Sequence, residues 1–372
     1  MDNKKRNLGL FFTAGVSVDL WSIKGMLNRE KVIYEQLLEE KFFDKVFWFT
    51  YGSGDKKYQV NVNKQINIIA KPKFFDFRGG DYIYSFLLPL FQHEHLKQCH
   101  ILKTNQMWGS WSAVFAKWLF RKKLYVRTGF TASKFFKLQN IKFSYIVSRI
   151  TEWLAYKNAD ISSVTSKSDY DYITTKYNPK SIEIIPNYVD TEVFKNYNTP
   201  KNKDLVFVGR LNKQKNLFNL FKALEKTNYH LDIYSSGELK NNLIEYAKQL
   251  KIQVNFFDPV SNTELPRILN QYKVYVLCSF YEGMPKTLIE AMACGLACLG
   301  TNVEGINSII KHSENGWLVD TNAESIRDGL QTLMKKDSLR TELDSQARIH
   351  IIDNFSLDKV LKSEIKIISD LL

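Results

Sequence analysis

The chain alternates short apolar runs with longer segments whose apolar residues recur every three or four positions. Short β-branched and aromatic runs are typical of buried parallel strands, whereas the longer periodic segments are typical of helices. In the first half, the pattern predicts strands at Leu8–Thr13, Lys45–Thr50, His100–Lys103, Lys123–Arg127 and Ile161–Val164. In the second half, it predicts strands at Leu205–Val208, Leu231–Tyr234, Val254–Phe257, Val274–Leu277 and Ala297–Leu299.

Helical patterns fill the gaps, for example at Glu30–Glu40, Ser110–Phe120 and Ser144–Lys157. Strand–helix alternation in both halves of a 372-residue chain predicts an α/β protein with two doubly wound, Rossmann-like domains. We place an N-terminal domain at residues 1–185 and a C-terminal domain at 186–356, with a helix at 357–372 packing back on the first domain. The polar segment Asn196–Asp204 is predicted to be a linker.

The segment Cys278–Gly295 carries the clearest chemical signal. Its pattern predicts a strand end, a short glycine loop and a helix that begins near Pro285. The segment contains two carboxylates, Glu282 and Glu290. Free amides at a helix start, together with the helix dipole, favour a bound phosphate. The amides expected to point at such a phosphate belong to Gly283, Met284, Lys286 and Thr287.

A second segment, Val206–Asn216, ends a strand at Gly209 and carries Arg210 and Lys215 around a short loop. Both cations are expected at the carboxyl edge of the sheet, where Arg offers a bidentate fork for phosphate and Lys a mobile point charge. The alternative is two solvated surface charges, because Lys and Arg are common on loops.

These two segments, together with Ala159–Ser166 and Ile185–Asp190, resemble the retaining family 4 glycosyltransferases of the GT-B fold. The resemblance covers residues 159 to about 320, with four motifs in the expected order. It implies two Rossmann-like domains facing a central cleft, and a nucleotide sugar as donor.

By that resemblance, Arg210 and Lys215 bind the donor diphosphate, Glu290 the ribose hydroxyls and Glu282 the transferred sugar. The backbone from Gly283 to Thr287 holds the sugar and the phosphate. Asp258 would lie near the nucleotide base, where the family often has Gly. Gly15, after the first strand, is a further donor-side candidate because a glycine lets backbone approach phosphates.

On the acceptor side, the candidates are Asn105, Trp108 and Arg127, which follow or end predicted strands. The resembled family often has His in the loop where this chain has Arg127–Phe130. Core packing is the alternative for Trp108, and a structural ion pair is the alternative for Arg127.

No cofactor or metal is expected. The leaving group is a dianionic diphosphate, which many enzymes neutralise with Mg²⁺. Here two cations and a helix start could do so through fixed electrostatics. The cleft segments hold no Asp-x-Asp, and Asp169 and Asp171 fit the first turn of a helix better than a metal site. The four cysteines form no Cys-x-x-Cys pair, which favours reduced thiols and a cytoplasmic location.

The net charge of +13 is concentrated in the N-terminal half. Residues 95–151 hold eleven Lys/Arg, eleven aromatic residues and no Asp or Glu. This composition fits docking on an anionic membrane, such as the inner face of the plasma membrane, where aromatic side chains sit at the interface and cations meet headgroups. A solvated basic surface and nucleic-acid binding by stacking and phosphate contacts are the alternatives.

The leading prediction is a hexosyltransferase that moves a hexose or N-acetylhexosamine from a nucleoside-diphosphate sugar, preferably UDP-linked, to a saccharide acceptor. The acceptor class that fits best is a lipid-linked intermediate of bacterial surface polysaccharide synthesis. Two alternatives stay open at this point: a nucleic-acid-binding protein with two α/β domains, and another GT-B enzyme such as a sugar-nucleotide epimerase.

Overall fold

The computed structural model describes residues 6–372, which divide into two compact units. Among the described residues, unit 1 comprises 6–186 and Val360–Leu372, and unit 2 comprises Asn187–Lys359. Each unit is built on one parallel β-sheet, with helices between most consecutive strands.

The described part of unit 1 contains a seven-stranded sheet. Its strands are β1 (Asn7–Phe11), β2 (Lys45–Phe49), β3 (Ile66–Ile69), β4 (Ile101–Thr104), β5 (Lys123–Thr128), β6 (Ile161–Val164) and β7 (Ile182–Ile184). Its helices are α1 (Val18–Ile23), α2 (Leu27–Glu39), α3 (Gly80–Phe91), α4 (His93–Gln98), α5 (Ser110–Phe120), α6 (Ala132–Leu138), α7 (Lys142–Asn158) and α8 (Lys167–Tyr177).

Unit 2, whose residues are all described, contains a six-stranded sheet. Its strands are β8 (Lys203–Val208), β9 (His230–Tyr234), β10 (Gln253–Phe257), β11 (Tyr272–Leu277), β12 (Ala297–Thr301) and β13 (Trp317–Val319). Its helices are α9 (Leu217–Leu224), α10 (Lys240–Leu250), α11 (Leu265–Leu269), α12 (Lys286–Ala293), α13 (Ala323–Lys335) and α14 (Asp337–Phe355). The last helix, α15 (Leu357–Ser369), begins in unit 2 and continues into unit 1.

The strand orders place a topological switch point in each unit. The order in unit 1 is β3-β2-β1-β4-β5-β6-β7, so the winding direction reverses between β1 and β4. The order in unit 2 is β10-β9-β8-β11-β12-β13, so it reverses between β8 and β11. Ligands of open α/β sheets bind outside the carboxyl ends of the strands at such points.

The predicted fold class is confirmed, and each of the ten predicted strands coincides with an observed one within two residues at either end. The three strands that the pattern missed, β3, β7 and β13, all lie at sheet edges. The linker prediction differs from the structure, because Asn196–Asp204 lies within unit 2. There the Tyr197 amide donates to Asn270 Oδ1 at 2.7 Å and Lys201 pairs with Asp344, so the segment is fixed to the unit.

Candidate active site

The two segments singled out in the sequence meet at the switch point of unit 2. The loop after β8 carries Arg210 and Lys215, and the loop after β11 carries Glu282. Strands β8 and β11 are hydrogen-bonded neighbours, so their carboxyl ends bring these loops together. The site therefore follows from strand order, although the loops are almost seventy residues apart in sequence.

Glu282 and Lys215 form a direct ion pair. Lys215 Nζ lies 2.6 Å from Glu282 Oε1, and the hydroxyl of Ser279 donates to the same oxygen at 2.5 Å. Glu282 and Lys215 are 8% and 9% exposed, so both charges are largely removed from water. Buried charges of this kind persist when they are paired and hydrogen-bonded. The ammonium group thus already has a counter-charge before any ligand arrives.

Gln214 holds the two loops together. Its Nε2 atom donates to Tyr281 O at 2.8 Å and to Glu282 Oε2 at 3.3 Å. Its backbone oxygen accepts from the Phe280 amide at 2.9 Å. Because both oxygens of Glu282 accept hydrogen bonds, the orientation of this carboxylate is set by three neighbouring side chains.

Arg210 differs from Lys215 in its surroundings. Arg210 is exposed, and within residues 6–372 its guanidinium group makes no ion pair or hydrogen bond with another residue. It therefore stands at the end of β8 with its hydrogen-bond donors turned to solvent. A guanidinium group in this state is ready to bind a phosphate through two parallel hydrogen bonds.

The start of α12 supplies backbone donors beside this ion pair. Among the hydrogen bonds of residues 6–372, none is donated by the amides of Gly283, Met284 or Thr287. Lys286 is the first residue of the helix, as the sequence pattern predicted within one position. These amides and the helix dipole favour a negatively charged group near the loop.

Three further contacts fix this loop. The phenol of Tyr275 donates to Thr287 Oγ1 at 2.8 Å, and Asn187 Nδ2 donates to Met284 O at 2.8 Å. Gly305, at φ +86°, packs so closely that an added Cβ would lie 2.2 Å from Gly283 O. A side chain at position 305 would therefore displace the loop that carries Glu282.

Glu290 lies on α12 and is 2% exposed. Asn262, in the loop after β10, donates to its Oε1 atom at 3.1 Å. The same loop begins with Asp258, whose side chain is 92% exposed and whose Oδ1 atom lies 3.4 Å from Lys240 Nζ. The structure thus brings Glu290 close to the loop of Asp258, while Asp258 itself points to solvent.

The predicted residues of unit 1 lie around its own switch point. Gly15 follows β1 with φ +79°, and Asn105 follows β4, where its amide donates to Phe11 O at 2.9 Å. The two loops touch, because the Ala14 amide donates to Trp108 O at 3.1 Å. Trp108 is half-buried and packs edge-to-face on Trp111 with ring centroids 5.3 Å apart. Roles toward a ligand stay predictions for these residues.

Arg127, on β5, lies beside a buried ion pair. Glu364 of α15 accepts a hydrogen bond from Lys103 Nζ at 2.8 Å and lies 3.9 Å from Arg127 Nε. The phenol of Tyr125 also donates to Glu364, at 3.2 Å. Burial lowers the pKa of Lys103, and the Glu364 carboxylate opposes that shift. The contact with Glu364 gives Arg127 a structural partner, and its role toward an acceptor stays a prediction.

Sequence reasoning missed Gln214, Ser279 and Gly305. Gln214 stands next to Lys215 within the quoted segment, but its partners are 67 and 68 residues further along the chain. A local sequence pattern does not predict contacts between residues this far apart in the chain. In the described residues, no group of three or more His, Cys, Asp or Glu side chains is arranged to hold a metal ion.

Two family models match the chain. The model of glycosyl transferases group 1 matches residues 189–350, which include the loops of Lys215 and Glu282. The model of glycosyltransferase family 4 matches residues 41–193. The two matches overlap at residues 189–193, close to the boundary between the two units.

Curated relatives and solved structures agree with these models. An alpha-1,4-N-acetyl-D-galactosaminyltransferase of Campylobacter jejuni, named for a diphosphoundecaprenol-linked substrate, is 26% identical over 61% of this chain and 66% of its own length. UDP-Gal:alpha-D-GlcNAc-diphosphoundecaprenol alpha-1,3-galactosyltransferase of Escherichia coli is 30% identical over 49% of this chain and 52% of its own length. The chain thus spans about half to two thirds of the length of these curated relatives.

The Anabaena protein HepE, solved in complex with UDP and glucose, has a similar fold. It aligns with a TM-score of 0.77 over 98% of this chain and 100% of its own length, at 14% sequence identity.

Proposed function

This chain belongs to the GT-B glycosyltransferases with a family 4 and a group 1 domain, and we propose that it is a retaining hexosyltransferase. It transfers a hexose or an N-acetylhexosamine from a nucleoside-diphosphate sugar to a saccharide acceptor. The donor is UDP-linked, and the acceptor is a lipid-linked intermediate of bacterial surface polysaccharide synthesis.

The observation that carries this proposal is the arrangement at the switch point of unit 2. An exposed guanidinium group, Arg210, and a paired ammonium group, Lys215, follow β8, while the amides at the start of α12 follow β11. Cations and amides at one sheet edge suit a diphosphate that gains negative charge as its sugar bond breaks. The carboxylate of Glu282 is paired with Lys215, and we place the transferred sugar beside it.

The nature of the substrates is supported by the relatives. The E. coli relative is named for a UDP-linked donor, and both named relatives carry diphosphoundecaprenol in the names of their substrates. HepE, whose fold is similar, was solved in complex with UDP and glucose. We extend these substrate classes to this chain because its donor-side residues have the chemistry that a nucleoside diphosphate requires.

In the proposed reaction, the bond between the sugar C1 atom and the diphosphate oxygen breaks while the acceptor oxygen attacks C1 from the same face. The acceptor proton passes to the departing phosphate oxygen. Glu282 orients the sugar, since its two oxygens are already fixed by Lys215, Ser279 and Gln214. Isolation of a glycosyl group covalently attached to Glu282 would contradict this mechanism and favour a nucleophilic carboxylate.

We propose that transfer needs no metal ion. Arg210, Lys215 and the α12 amides supply positive charge to the leaving diphosphate, so excess chelator should leave the rate unchanged. A rate that falls in chelator and returns with Mg²⁺ or Mn²⁺ would contradict this part of the proposal.

A thermal-shift screen of nucleoside diphosphates and nucleotide sugars tests the function directly. Binding of UDP should raise the melting temperature by mass action, and Arg210→Ala should abolish that shift. Arg267→Ala, an exposed arginine of unit 2 away from the two loops, is the matched control and should keep the shift. If no nucleoside diphosphate raises the melting temperature of the unaltered protein, the proposed donor class is wrong.

An acceptor carried in a bilayer requires that the enzyme work at a membrane surface. We therefore propose that the protein acts in the cytoplasm as a peripheral protein of the inner face of the plasma membrane. In residues 6–372, no helix combines the length and the apolar character needed to cross a bilayer.

A further inference from the structure

Helix α7 exposes an apolar stripe to solvent. Phe143, Ile146, Ile150 and Trp153 are 79%, 56%, 61% and 54% exposed, and their spacing of three and four residues places them on one face of the helix. The opposite face packs into unit 1 with several polar residues, namely Ser148, Thr151, Glu152 and Tyr156. The helix is thus inverted relative to an ordinary surface helix, because its most apolar side chains are turned to water.

Large apolar side chains are also exposed on α5, next to the end of α7. Trp118 and Leu119 are 53% and 54% exposed, and Trp118 Nε1 donates to Asn158 Oδ1 at the end of α7 at 2.9 Å. Aromatic rings extend the surface toward α3, because Phe115 lies 5.6 Å from Trp118 and 6.1 Å from Phe86, which is itself half exposed. We call the surface formed by the α7 stripe, Trp118 and Leu119 the apolar face.

Groups of large exposed apolar side chains on neighbouring helices are uncommon on soluble proteins unless they contact a partner or a membrane. Single exposed apolar residues need no explanation. Here two Trp, one Phe, two Ile and one Leu lie on adjoining helices of one unit. We therefore expect the apolar face to bind a partner or a membrane.

The exposed charges at the two ends of the α7 stripe are positive. Lys137 and Lys142 flank its start and Lys157 its end, and all three are exposed. No carboxylate among residues 6–372 lies within ion-pair distance of these three ammonium groups. The sequence has no Asp or Glu from residue 95 to 151, and Glu152 is buried. The rim is thus complementary to an anionic surface.

We propose that the apolar face is the site at which this protein docks on an anionic lipid bilayer. Helix α7 lies flat in the interface, with Phe143, Ile146, Ile150 and Trp153 among the acyl chains and Lys142 and Lys157 at the headgroups. Trp153 and Trp118 lie at the level of the lipid headgroups, where indole rings are enriched in membrane proteins. This inference deepens the proposed function, on which it rests for its lipid-linked acceptor, by naming the surface that brings the enzyme to the bilayer.

A second copy of the chain fits the apolar face less well. In a two-fold symmetric contact the same patch meets itself, so Lys142 and Lys157 would face the like charges of the other copy. Asp160, the carboxylate near Trp118, is already paired with Lys117 and would not compensate that repulsion. The anionic bilayer supplies the missing negative charge.

Vesicle co-sedimentation of the full-length protein tests the proposal. The unaltered protein should bind vesicles of phosphatidylcholine with phosphatidylglycerol, bind pure phosphatidylcholine vesicles on the order of tenfold more weakly, and lose affinity as salt rises. The variant Ile146→Ser/Ile150→Ser/Trp153→Ser should bind the anionic vesicles more than about tenfold more weakly. All three positions are exposed, so the variant should keep its fold.

Matched controls separate the apolar face from general surface properties. Ile349→Ser/Ile352→Ser removes two exposed isoleucines from α14 of unit 2 and should bind vesicles like the unaltered protein. Lys142→Glu/Lys157→Glu should weaken binding on the order of tenfold or more, because each cation near an anionic surface contributes. Lys248→Glu/Lys335→Glu, the same charge change on exposed sites of unit 2, should weaken it much less.

Vesicle binding and UDP binding are read separately. Absent vesicle binding with an intact UDP-induced thermal shift overturns the docking proposal and leaves the proposed function standing. Equal vesicle binding by the stripe variant and the unaltered protein also overturns it. A dimer in solution that the stripe variant converts to a monomer, without vesicle binding, would assign the apolar face to a second copy. Vesicle binding without any nucleotide binding would overturn the proposed function alone.

Discussion

The two units have the same strand order around their switch points but different side chains there. In unit 2 the loops after β8 and β11 bring together Arg210, Lys215 and Glu282, with one cation exposed and the other paired. In unit 1 the corresponding loops, after β1 and β4, meet through the Ala14 amide and Trp108 O and carry small and aromatic residues. Equivalent topology therefore does not imply equivalent chemistry.

In unit 1, the charges near the ends of β4 and β5 lie within the core instead. Lys103 and Glu364 are both 1% exposed, and their ion pair fixes α15 to β4. A buried ion pair contributes little net stability, yet the loss of one partner is costly because the other charge is left without compensation. The comparison teaches that charges near parallel strands can serve ligand binding or internal packing, and that exposure and partners distinguish the two uses.

The largest effect is expected from breaking the buried pair of unit 1. Glu364→Leu leaves the ammonium group of Lys103 buried without its carboxylate and should lower the free energy of unfolding by about 3–5 kcal/mol. Lys103→Met/Glu364→Leu should recover most of that loss. Urea unfolding followed by tryptophan fluorescence measures this, because six of the seven tryptophans lie in unit 1.

The control for this measurement is the exposed pair Lys167–Asp171, whose side chains are 70% and 59% exposed. Lys167→Ala should change the free energy of unfolding by less than about 1 kcal/mol. Equal losses in Glu364→Leu and in the double variant would show that packing of α15, rather than charge compensation, dominates.

In unit 2 the largest effect should be on turnover. Glu282→Gln keeps the shape of the side chain but removes its charge, and should lower kcat by about a hundred- to a thousandfold. The same change should tighten UDP binding, since Lys215 no longer has a carboxylate that competes with phosphate. Steady-state kinetics and calorimetric titration with UDP measure the two effects, and unchanged turnover with weaker UDP binding would assign Glu282 to donor binding alone.

A smaller effect is expected at Gln214, which positions Glu282 without reaching the reacting atoms. Gln214→Ala keeps the backbone contact with Phe280 but loses the donor to Glu282, and should lower kcat roughly tenfold with KM for the donor unchanged. Gln214→Glu should be more severe, because a second carboxylate would face Glu282.

Gln271 of the same unit provides the comparison for Gln214. Its side chain also donates to a backbone oxygen, that of Arg267, but it lies on the surface. Gln271→Ala should leave kcat unchanged. A purely structural role of Gln214 is indicated if Gln214→Ala and Gln214→Glu lower stability and leave kcat of the folded protein unaltered.

The smallest effect is expected from Glu152, another buried ionisable group of unit 1. Burial raises the pKa of Glu152 above its ordinary value of 4.5, despite hydrogen bonds from Tyr177 and Ser133. Between pH 4.5 and the higher folded-state pKa, Glu152 is therefore protonated in the folded state and ionised in the unfolded state. The corresponding stability is present below pH 4.5 and is lost as pH rises through the higher folded-state pKa.

Glu152→Gln cannot ionise, so its stability relative to the unaltered protein should increase as pH rises from about 4 to about 7. Urea unfolding at several pH values, with the difference between the two proteins taken at each pH, measures this. A difference that does not change with pH would mean that the carboxylate stays in one protonation state throughout.

The central strands were predictable because they are buried on both faces and so appear as continuous apolar runs. The edge strands β7 and β13 were not predictable. Each has only three residues, and its extended form depends on pairing with one neighbour. Glu282 and Lys215 were identified from local sequence, but their contact depends on strand order. Glu364, 237 residues beyond Arg127, carries no local sign of its partners.

The ion pair between Lys103 and Glu364 also has a consequence for synthesis of the chain. They are 261 positions apart in the chain, and the residues between them include the whole of unit 2. At ribosomal rates of roughly 5–20 residues per second, the carboxylate follows the ammonium group by tens of seconds. Lys103 lacks its counter-charge until α15 has been synthesised, so we expect unit 1 to complete its fold only after α15 has left the ribosome.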